Sequence, residues 1–258
     1  MPDPSHPGGV FSLHGKLAIV TGGGTGLGYA MASCLAASGA RVVITGRRGD
    51  VLNEAAERLG SNVFAERHDV TDLHGAAALI ERIEKRHGTP TILINNAGAH
   101  VKKRIEEHTI EAFQGILAVH VEGAFALTQA TVPYMKQAGG GSILFTASMS
   151  SLIGMPEIVA YSAAKSAYLG MVRSLASELG PYNIRVNAIA PGWIETPMLA
   201  SALAGDPQRK AKILSRTPQH RFGKPDDIGW CAVYLCSPAA SFISGVVLPV
   251  DGGASIGF

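Results

Sequence analysis

The sequence is short of cysteine, of charge and of long apolar runs, and each shortage excludes a class of protein. The three cysteines, Cys34, Cys231 and Cys236, match neither a zinc spacing nor a disulfide framework. Charged residues make up 16% of the chain, the formal net charge is +2 and no basic stripe occurs, so nucleic acid is not an expected partner. No apolar run reaches the ~18 residues that a membrane span requires. Acidic residues do not cluster as metal ligands, so no catalytic metal is expected.

What remains is the composition of a globular protein with a large core. Hydrophobic residues make up 47% of the 258, which is enough to bury one large α/β domain. Residues 1–12 contain Pro and Gly without a signal-peptide pattern, and we expect a flexible tail there, followed by one domain over residues 13–258. The cysteine usage favours a reducing compartment, so the predicted location is the cytoplasm.

Short β-type runs alternate with longer helical ones along the domain, which predicts an α/β fold. Seven runs rich in branched residues separate stretches with helical periodicity. Continuous apolar strands joined by helices predict a doubly wound, seven-stranded parallel sheet of the Rossmann type, with helices on both faces. The predicted strands are Lys16–Val20, Arg41–Thr45, Asn62–Glu66, Thr91–Asn95, Ser142–Thr146, Ile184–Ala190 and Val246–Val250. Residues 193–221 interrupt the alternation, and we expect them to form a small helical flap over a substrate pocket.

The stretch TGGGTGLG, residues 21–28, directly follows the first strand and opens a helix. We expect Gly22 to permit the tight turn, Gly26 to let the backbone approach a pyrophosphate, and Gly28 to allow close helix packing. Such a turn is also found for structural reasons alone, but its position between a strand and a helix favours dinucleotide binding. The predicted phosphate-binding residues are Gly22, Gly24, Thr25, Gly26, Leu27 and Gly28.

The end of the second strand indicates which dinucleotide is bound. Gly46 stands where an acidic residue would accept from the ribose of NAD, and Arg47 and Arg48 follow it. A guanidinium suits the 2′-phosphate of NADP, so NADP(H) is favoured and NAD(H) stays open. The alternative is two solvated arginines in a loop.

Tyr161 and Lys165 lie one helical turn apart in AYSAAKSAYLG, residues 160–170. A phenol has a pKa near ~10, and a neighbouring ammonium group favours its ionised form. At i and i+4 the two side chains share one helix face. The pair therefore predicts acid–base chemistry on an alcohol or ketone while hydride moves to or from a nicotinamide.

From Leu13 to Gly253 the sequence resembles the short-chain dehydrogenase/reductase family. The resemblance depends on several motifs in the family's order: TGGGTGLG, HDVTD (residues 68–72), NNAG (95–98), a serine thirteen residues before the tyrosine, YSAAK, RVNAIAPGWIETPM (185–198) and VDGG (250–253). It implies that Tyr161 is the acid/base, that Lys165 lowers the pKa of Tyr161 and binds the nicotinamide ribose, and that Ser148 holds the carbonyl oxygen. It also implies cofactor contacts at Asp69, Val70, Asn96, Ala97, Gly98, Pro191, Gly192, Ile194 and Thr196.

One position departs from the family pattern. His120, in VHVEGAF, stands where the family has a fourth catalytic residue, an asparagine whose backbone carbonyl helps to hold a water. A histidine keeps the carbonyl and adds a titratable ring. Either the substitution is simply tolerated, or His120 joins the proton relay and adds a pH dependence below neutrality.

The substrate pocket is expected to be mostly apolar, which fits a compact carbonyl compound. Its predicted residues are His100, Ser148, Met149, Met155, Trp193 and Met198. Members that act on sugar acids and polyols resemble the segment SRTPQHRFGKPDD (215–227), and a small cyclic ketone is a further candidate. A 3-oxoacyl-carrier-protein reductase is the first alternative, and a non-catalytic NADP-binding sensor is the second. By resemblance, the helices carrying His120 and Tyr161 pair across a two-fold axis, which predicts a homotetramer.

Overall fold

The computed structural model describes residues 7–257, without the side chains of Pro7, Gly8, Met198 and Ala202. Seven parallel strands form one sheet in the order β3-β2-β1-β4-β5-β6-β7. The chain reverses direction along the sheet between β1 and β4, which is where doubly wound sheets open a ligand crevice. The strands are β1 (Leu17–Thr21), β2 (Arg41–Gly46), β3 (Val63–Arg67), β4 (Ile92–Asn95), β5 (Gly141–Thr146), β6 (Ile184–Pro191) and β7 (Val247–Val250).

Helices cover both faces of this sheet. They are α1 (Pro7–Val10), α2 (Gly26–Ala37), α3 (Gly49–Leu59), α4 (Gly75–His87), α5 (Ile110–Leu117), α6 (Gly123–Gln137), α7 (Val159–Leu179), α8 (Pro197–Leu203), α9 (Pro207–Arg216) and α10 (Pro225–Cys236). Successive strand residues point to opposite faces, so the chain has two cores. Val20 and Ile44 pack with α2, α3 and α10, while Ile19 and Val43 pack with α4, α6 and α7.

The predicted architecture is confirmed. All seven strands lie where the apolar runs placed them, within one residue at most ends. The flap predicted over residues 193–221 consists of α8 and α9. Of the predicted tail, residues 1–6 lie outside the described part; Pro7–Val10 forms one helical turn, and Leu13 is fully buried.

The helical stretch Ile110–Gln137 combines α5, α6 and a π-helical segment, Ala118–Glu122, between them. It is the one stretch in residues 7–257 that is long and apolar enough to cross a membrane on length and composition alone. Leu127 and Met135 of this stretch are buried in the core beside the sheet. Only 28% of the most apolar part of the stretch is buried within the single chain, so this packing covers a part of its apolar surface.

Candidate active site

The main cleft of the molecule lies at the carboxyl ends of β1, β2, β4 and β5 and encloses about 640 Å³. Most of the predicted site residues line it, from both sides of the crevice. They are Gly22, Gly24, Thr25, Gly26, Leu27, Gly28, Arg47, Arg48, Asp69, Val70, Asn96, Ala97, Gly98, His120, Tyr161, Lys165 and Thr196. We call this space the main cleft, with a nucleotide end at the glycine turn and a chemical end at Tyr161.

The glycine turn is built so that only glycine fits at its two ends. Gly22 has a φ of +66°, and a β-carbon there would lie 3.0 Å from the Cα of Ala97. At Gly28 a β-carbon would collide with the carbonyl oxygen of Gly22, so α2 packs directly on the turn. Gly26 also has a positive φ, +56°, but a β-carbon there would meet nothing within 4 Å. The backbone at Gly26 is therefore open toward the cleft, as an approaching phosphate requires.

Thr21 and Asn96 hold the turn in place. The amide of Asn96 donates to the carbonyl of Thr21 over 2.9 Å. In return, the Thr21 hydroxyl accepts from the backbone N–H groups of Asn96 and Ala97, both over 2.9 Å. These bonds join the ends of β1 and β4, and they fix the floor of the main cleft.

The two arginines at the nucleotide end of the main cleft are exposed to solvent. Arg47 and Arg48 follow β2 as exposed residues, with Arg48 directly preceding α3. Asp69 lies on the neighbouring loop, and its carboxylate accepts from the hydroxyl and the N–H of Thr71. Partial burial raises the pKa of Asp69, but the bonds from Thr71 and the charge of Arg47 outweigh it, so the pKa is lowered. No carboxylate occupies the end of β2, where Gly46 stands.

The chemical end is buried and centres on α7. Tyr161 hydrogen-bonds to Ser148, which follows β5 and is 9% exposed. Lys165 is 3% exposed, and its ammonium donates to the carbonyl of Thr146 over 2.5 Å. The Nζ of Lys165 lies 5.5 Å from the centre of the Tyr161 ring. The serine, tyrosine and lysine that the resemblance implied therefore meet at one place.

The expected effect of Lys165 on Tyr161 needs a correction. Burial raises the pKa of Tyr161, and the bond to Ser148 lowers it by less than burial raises it. Burial also lowers the pKa of Lys165 to about 7. Since removing both groups from water favours their neutral forms, the protein alone keeps Tyr161 protonated at neutral pH.

His120 lies in the π-helical segment and packs edge-on against Tyr161, with ring centres 5.6 Å apart. Its Nε2 lies 2.8 Å from the carbonyl of Ala99. The missing side chain of Gly98 makes room for the ring, because a β-carbon there would lie 2.5 Å from Cε1. Burial, and then the charge of Lys165, lower the pKa of His120 to about 3. A neutral ring at all physiological pH values contradicts the idea that His120 adds a pH dependence below neutrality.

Sequence reasoning missed Tyr168. This fully buried residue lies three positions after Lys165, on the same face of α7. Its hydroxyl donates to the carbonyl of His120 over 2.8 Å, and its ring centre lies 5.0 Å from the ammonium of Lys165. The carbonyl that the resemblance assigned to a water therefore accepts a bond from a side chain. The spacing from Tyr161 and Lys165 was the signal that could have identified Tyr168.

Not every predicted residue lies in the main cleft. Pro191, Gly192 and Ile194 do not line it, and Ile194 is buried in the core beside α10. Met149, Met155 and Trp193 line a second cavity, next to Ser148. His100 does not line the main cleft, but its ring packs edge-on against Tyr161, with ring centres 5.1 Å apart. Met198 belongs to α8, but its side chain lies outside the described part.

The chain is similar to known oxidoreductases over nearly its whole length. The family described as enoyl-(acyl carrier protein) reductase matches residues 22–255. An NADP-dependent (R)-specific alcohol dehydrogenase of Lentilactobacillus kefiri is 37% identical over 246 residues, 93% of this chain and 97% of that protein. A 7alpha-hydroxysteroid dehydrogenase of Escherichia coli is 38% identical over 244 residues, 93% of this chain and 94% of that protein.

Solved structures agree with the sequence relatives. The crystal structure of a gluconate 5-dehydrogenase from Burkholderia cenocepacia, in complex with NADP and tartrate, superposes with a TM-score of 0.94 at 31% identity. The superposition covers 98% of this chain and all of that one. With the parallel sheet, the glycine turn and the Ser148–Tyr161–Lys165 cluster, these similarities define the class. The chain belongs to the short-chain dehydrogenase/reductase family and is an oxidoreductase that acts on alcohols and ketones.

Proposed function

We propose that this protein interconverts a secondary alcohol and a ketone with NADP(H) as the hydride carrier. The observation that carries the proposal is that Tyr161 and Lys165 line one end of a cleft whose other end is a glycine turn, with Ser148 hydrogen-bonded to Tyr161. A dinucleotide is long enough to reach from one end to the other. A protein that only senses a cofactor would need neither Tyr161 nor Lys165.

The residues of the cleft fit the cofactor. The open backbone at Gly26 and the start of α2 suit a pyrophosphate, and Arg47 and Arg48 suit the 2′-phosphate of NADP. NAD(H) remains the alternative, because both arginines are exposed and a ribose hydroxyl would also fit beside Gly46. The bound nicotinamide supplies or accepts the hydride.

The hydride belongs to the cofactor, whereas the proton is transferred by side chains of the protein. The hydroxyls of Ser148 and Tyr161 form a pair of donors for one carbonyl oxygen, with Tyr161 also delivering the proton. Burial keeps Tyr161 protonated at neutral pH, so the phenol is ready to act as the acid in ketone reduction. The ammonium of Lys165 then stabilises the phenolate left behind, and in alcohol oxidation the proton returns to Tyr161.

The substrate class is the finer part of the proposal. A sugar acid, a polyol or a small cyclic ketone are the candidates, and a 3-oxoacyl-carrier-protein substrate is the runner-up. A 3-oxoacyl-[acyl-carrier-protein] reductase of Thermotoga maritima is also a relative, at 35% identity. Residues 178–183, at the end of α7 and in the turn after it, include no basic residue that would meet an acidic carrier protein, and the nearby cation is Lys136, whose ammonium lies 3.7 Å from the centre of the Tyr182 ring. We therefore rank a free small molecule first.

We also propose a cytoplasmic homotetramer. Phe125 on α6, Val159 on α7, Trp230 on α10 and Phe242 before β7 are large apolar side chains exposed in the single chain. Burial of such side chains is the usual driving force of subunit association. The three free cysteines are consistent with a reducing compartment. Light scattering of the purified protein tests the subunit number.

The proposed reaction is tested with a panel of ketones and secondary alcohols, each assayed at the nicotinamide absorbance with NADPH, NADH and their oxidised forms. We expect turnover of at least one ketone and a higher kcat/KM with NADPH than with NADH. If NADP(H) binds but no member of a broad panel reacts, the sensor is the better interpretation.

A further inference from the structure

A second cavity of about 390 Å³ lies beside the chemical end, under the flap helix α9. Its floor is apolar and includes Met149, Ile153, Met155, Trp193 and Ile213. Met149 directly follows Ser148 in the chain, so one lining residue of this cavity adjoins a residue of the proposed carbonyl site. We call this space the α9 cavity.

Basic side chains form the wall of the α9 cavity on the α9 side. Arg209, Lys212 and Arg216 all line it, and they surround the buried residue Ile213. Residues spaced by three and four positions lie on one helix face, which explains why the three cations share a direction. A solvated helix face usually points such side chains away from the protein. Lys212 and Arg216 are exposed to solvent, but together with the less exposed Arg209 they also border an apolar space.

Among the residues that line the α9 cavity, basic side chains outnumber acidic ones by four to one. Lys102 and Glu157 also line the cavity, but they pair with each other, with the Lys102 nitrogen 2.8 Å from the Glu157 carboxylate. Glu157 is the only acidic residue among the described lining residues, and it is already neutralised. Within residues 7–257, neither Lys212 nor Arg216 takes part in an ion pair.

Two of the cations that line the α9 cavity, Lys102 and Arg209, influence His100, which is a neighbour of Tyr161. His100 stacks edge-on against Tyr161. Partial burial, followed by the charges of Lys102 and Arg209, lowers the pKa of His100. A molecule that has its carbonyl at Ser148 and Tyr161 and also fills the α9 cavity would extend over apolar side chains toward Arg209, Lys212 and Arg216.

We infer that the substrate carries an anionic group, a carboxylate or a phosphate ester, separated from its ketone by an apolar body, and that Lys212 and Arg216 bind this group. This inference rests on the proposed function, since it places the reacting carbonyl at Ser148 and Tyr161. It narrows the substrate class to keto or hydroxy acids with a hydrophobic body. Polyols and uncharged cyclic ketones could interact with Ser148 and Tyr161, but they carry no anionic group for Lys212 and Arg216 to bind.

The test uses matched substrates: a medium-chain fatty acid with a ketone at the penultimate carbon, its methyl ester, and the corresponding keto-alkyl phosphate. The measured quantity is the ratio of kcat/KM for each anion to kcat/KM for the ester. In the native protein we expect a ratio of about ten or more for one of the anions, since hydrogen bonds between a cation and an anion are stronger than those to a neutral ester. The anion with the larger ratio shows which head group is preferred.

Lys212→Gln and Arg216→Gln are expected to lower that ratio about tenfold each. Lys210→Gln is the matched control, because Lys210 is an exposed cation of the same helix, as Lys212 and Arg216 are, but does not line the cavity. Added salt should lower the native ratio as well. A native ratio near one, or equal ratios in the three variants, overturns the inference while leaving the proposed reaction intact. If none of the three substrates and no ketone of the wider panel reacts, the proposed function itself fails.

Discussion

The nucleotide end and the chemical end of the main cleft handle charge in opposite ways. Arg47 and Arg48 are exposed, whereas Lys165 and His120 are almost fully buried, and burial has lowered the pKa of both. Binding a phosphate requires a cation that remains charged at every working pH. Proton transfer favours groups whose charged and neutral forms are close in free energy, which holds for Lys165 with its pKa of about 7 but not for His120 with its pKa of about 3. The main cleft thus places phosphate binding at its exposed end and proton transfer at its buried end.

Substitution of Lys165 should therefore change pH behaviour, substitution of His120 should leave it unchanged, and substitutions at the nucleotide end should change cofactor affinity. Four variants test this division, and a fifth tests the chemistry itself.

The largest expected effect concerns the stability cost of burying Lys165. Its pKa is lowered from 10.5 to about 7, so between these values the unfolded chain binds a proton that the folded chain does not. The free energy of unfolding should then rise with pH across this window, by a few kcal/mol. Denaturant titrations from pH 7 to pH 10 should show the rise in the native protein and a much smaller one in Lys165→Met. Equal slopes in the two proteins would mean that Lys165 keeps a normal pKa.

Gly28→Ala tests the packing at the nucleotide end. The added methyl would collide with the carbonyl of Gly22 and the amide of Asn96, which should cost about 1–3 kcal/mol of stability and displace the turn. We expect a weaker cofactor affinity together with a lower midpoint of urea unfolding. Gly115→Ala, in α5, is the control, because its β-carbon would meet nothing within 4 Å. That control should be neutral or slightly stabilising.

Arg47→Ala combined with Arg48→Ala tests cofactor choice. Loss of charge-assisted bonds to a 2′-phosphate should raise KM for NADPH about tenfold or more and leave KM for NADH nearly unchanged. Arg58→Ala is the matched control, since Arg58 is an exposed arginine of α3 paired with Glu54. A parallel change for both cofactors would remove the structural reason for preferring NADP(H).

The smallest expected effect is on the pH–rate profile of His120→Asn. With a pKa of about 3, His120 is neutral throughout the range from pH 6 to pH 9, so replacing it removes no titration there. The two profiles of kcat/KM should have the same shape even if their heights differ. An extra inflection below neutrality in the native protein alone would restore His120 to the proton relay.

The sequence predicted best those parts of the molecule that the backbone determines. The positions of the strands and of the glycine turn could be predicted from the residue pattern. Runs of branched apolar residues, and glycines between a strand and a helix, are compatible with few other local structures. Ser148, Tyr161 and Lys165 were located by resemblance, and the structure brings them together.

Side-chain packing was harder to anticipate. Ile194 was expected at the nicotinamide, and its burial in the core beside α10 could not be read from the motif. The direction of the Tyr161 pKa shift was also missed, since it depends on burial, which no motif encodes. Tyr168 and the cations of α9 were overlooked for the same reason: their neighbours come from distant parts of the chain.

The central claim is that Tyr161 transfers the proton while the rest of the cleft holds the cofactor, and Tyr161→Phe tests it directly. Turnover and NADPH affinity should be measured side by side in this variant and in the native protein. We predict that turnover falls by at least a factor of about a hundred while the Kd for NADPH stays within a few-fold of the native value. Turnover within a few-fold of native, with the cofactor bound, would show that another group moves the proton.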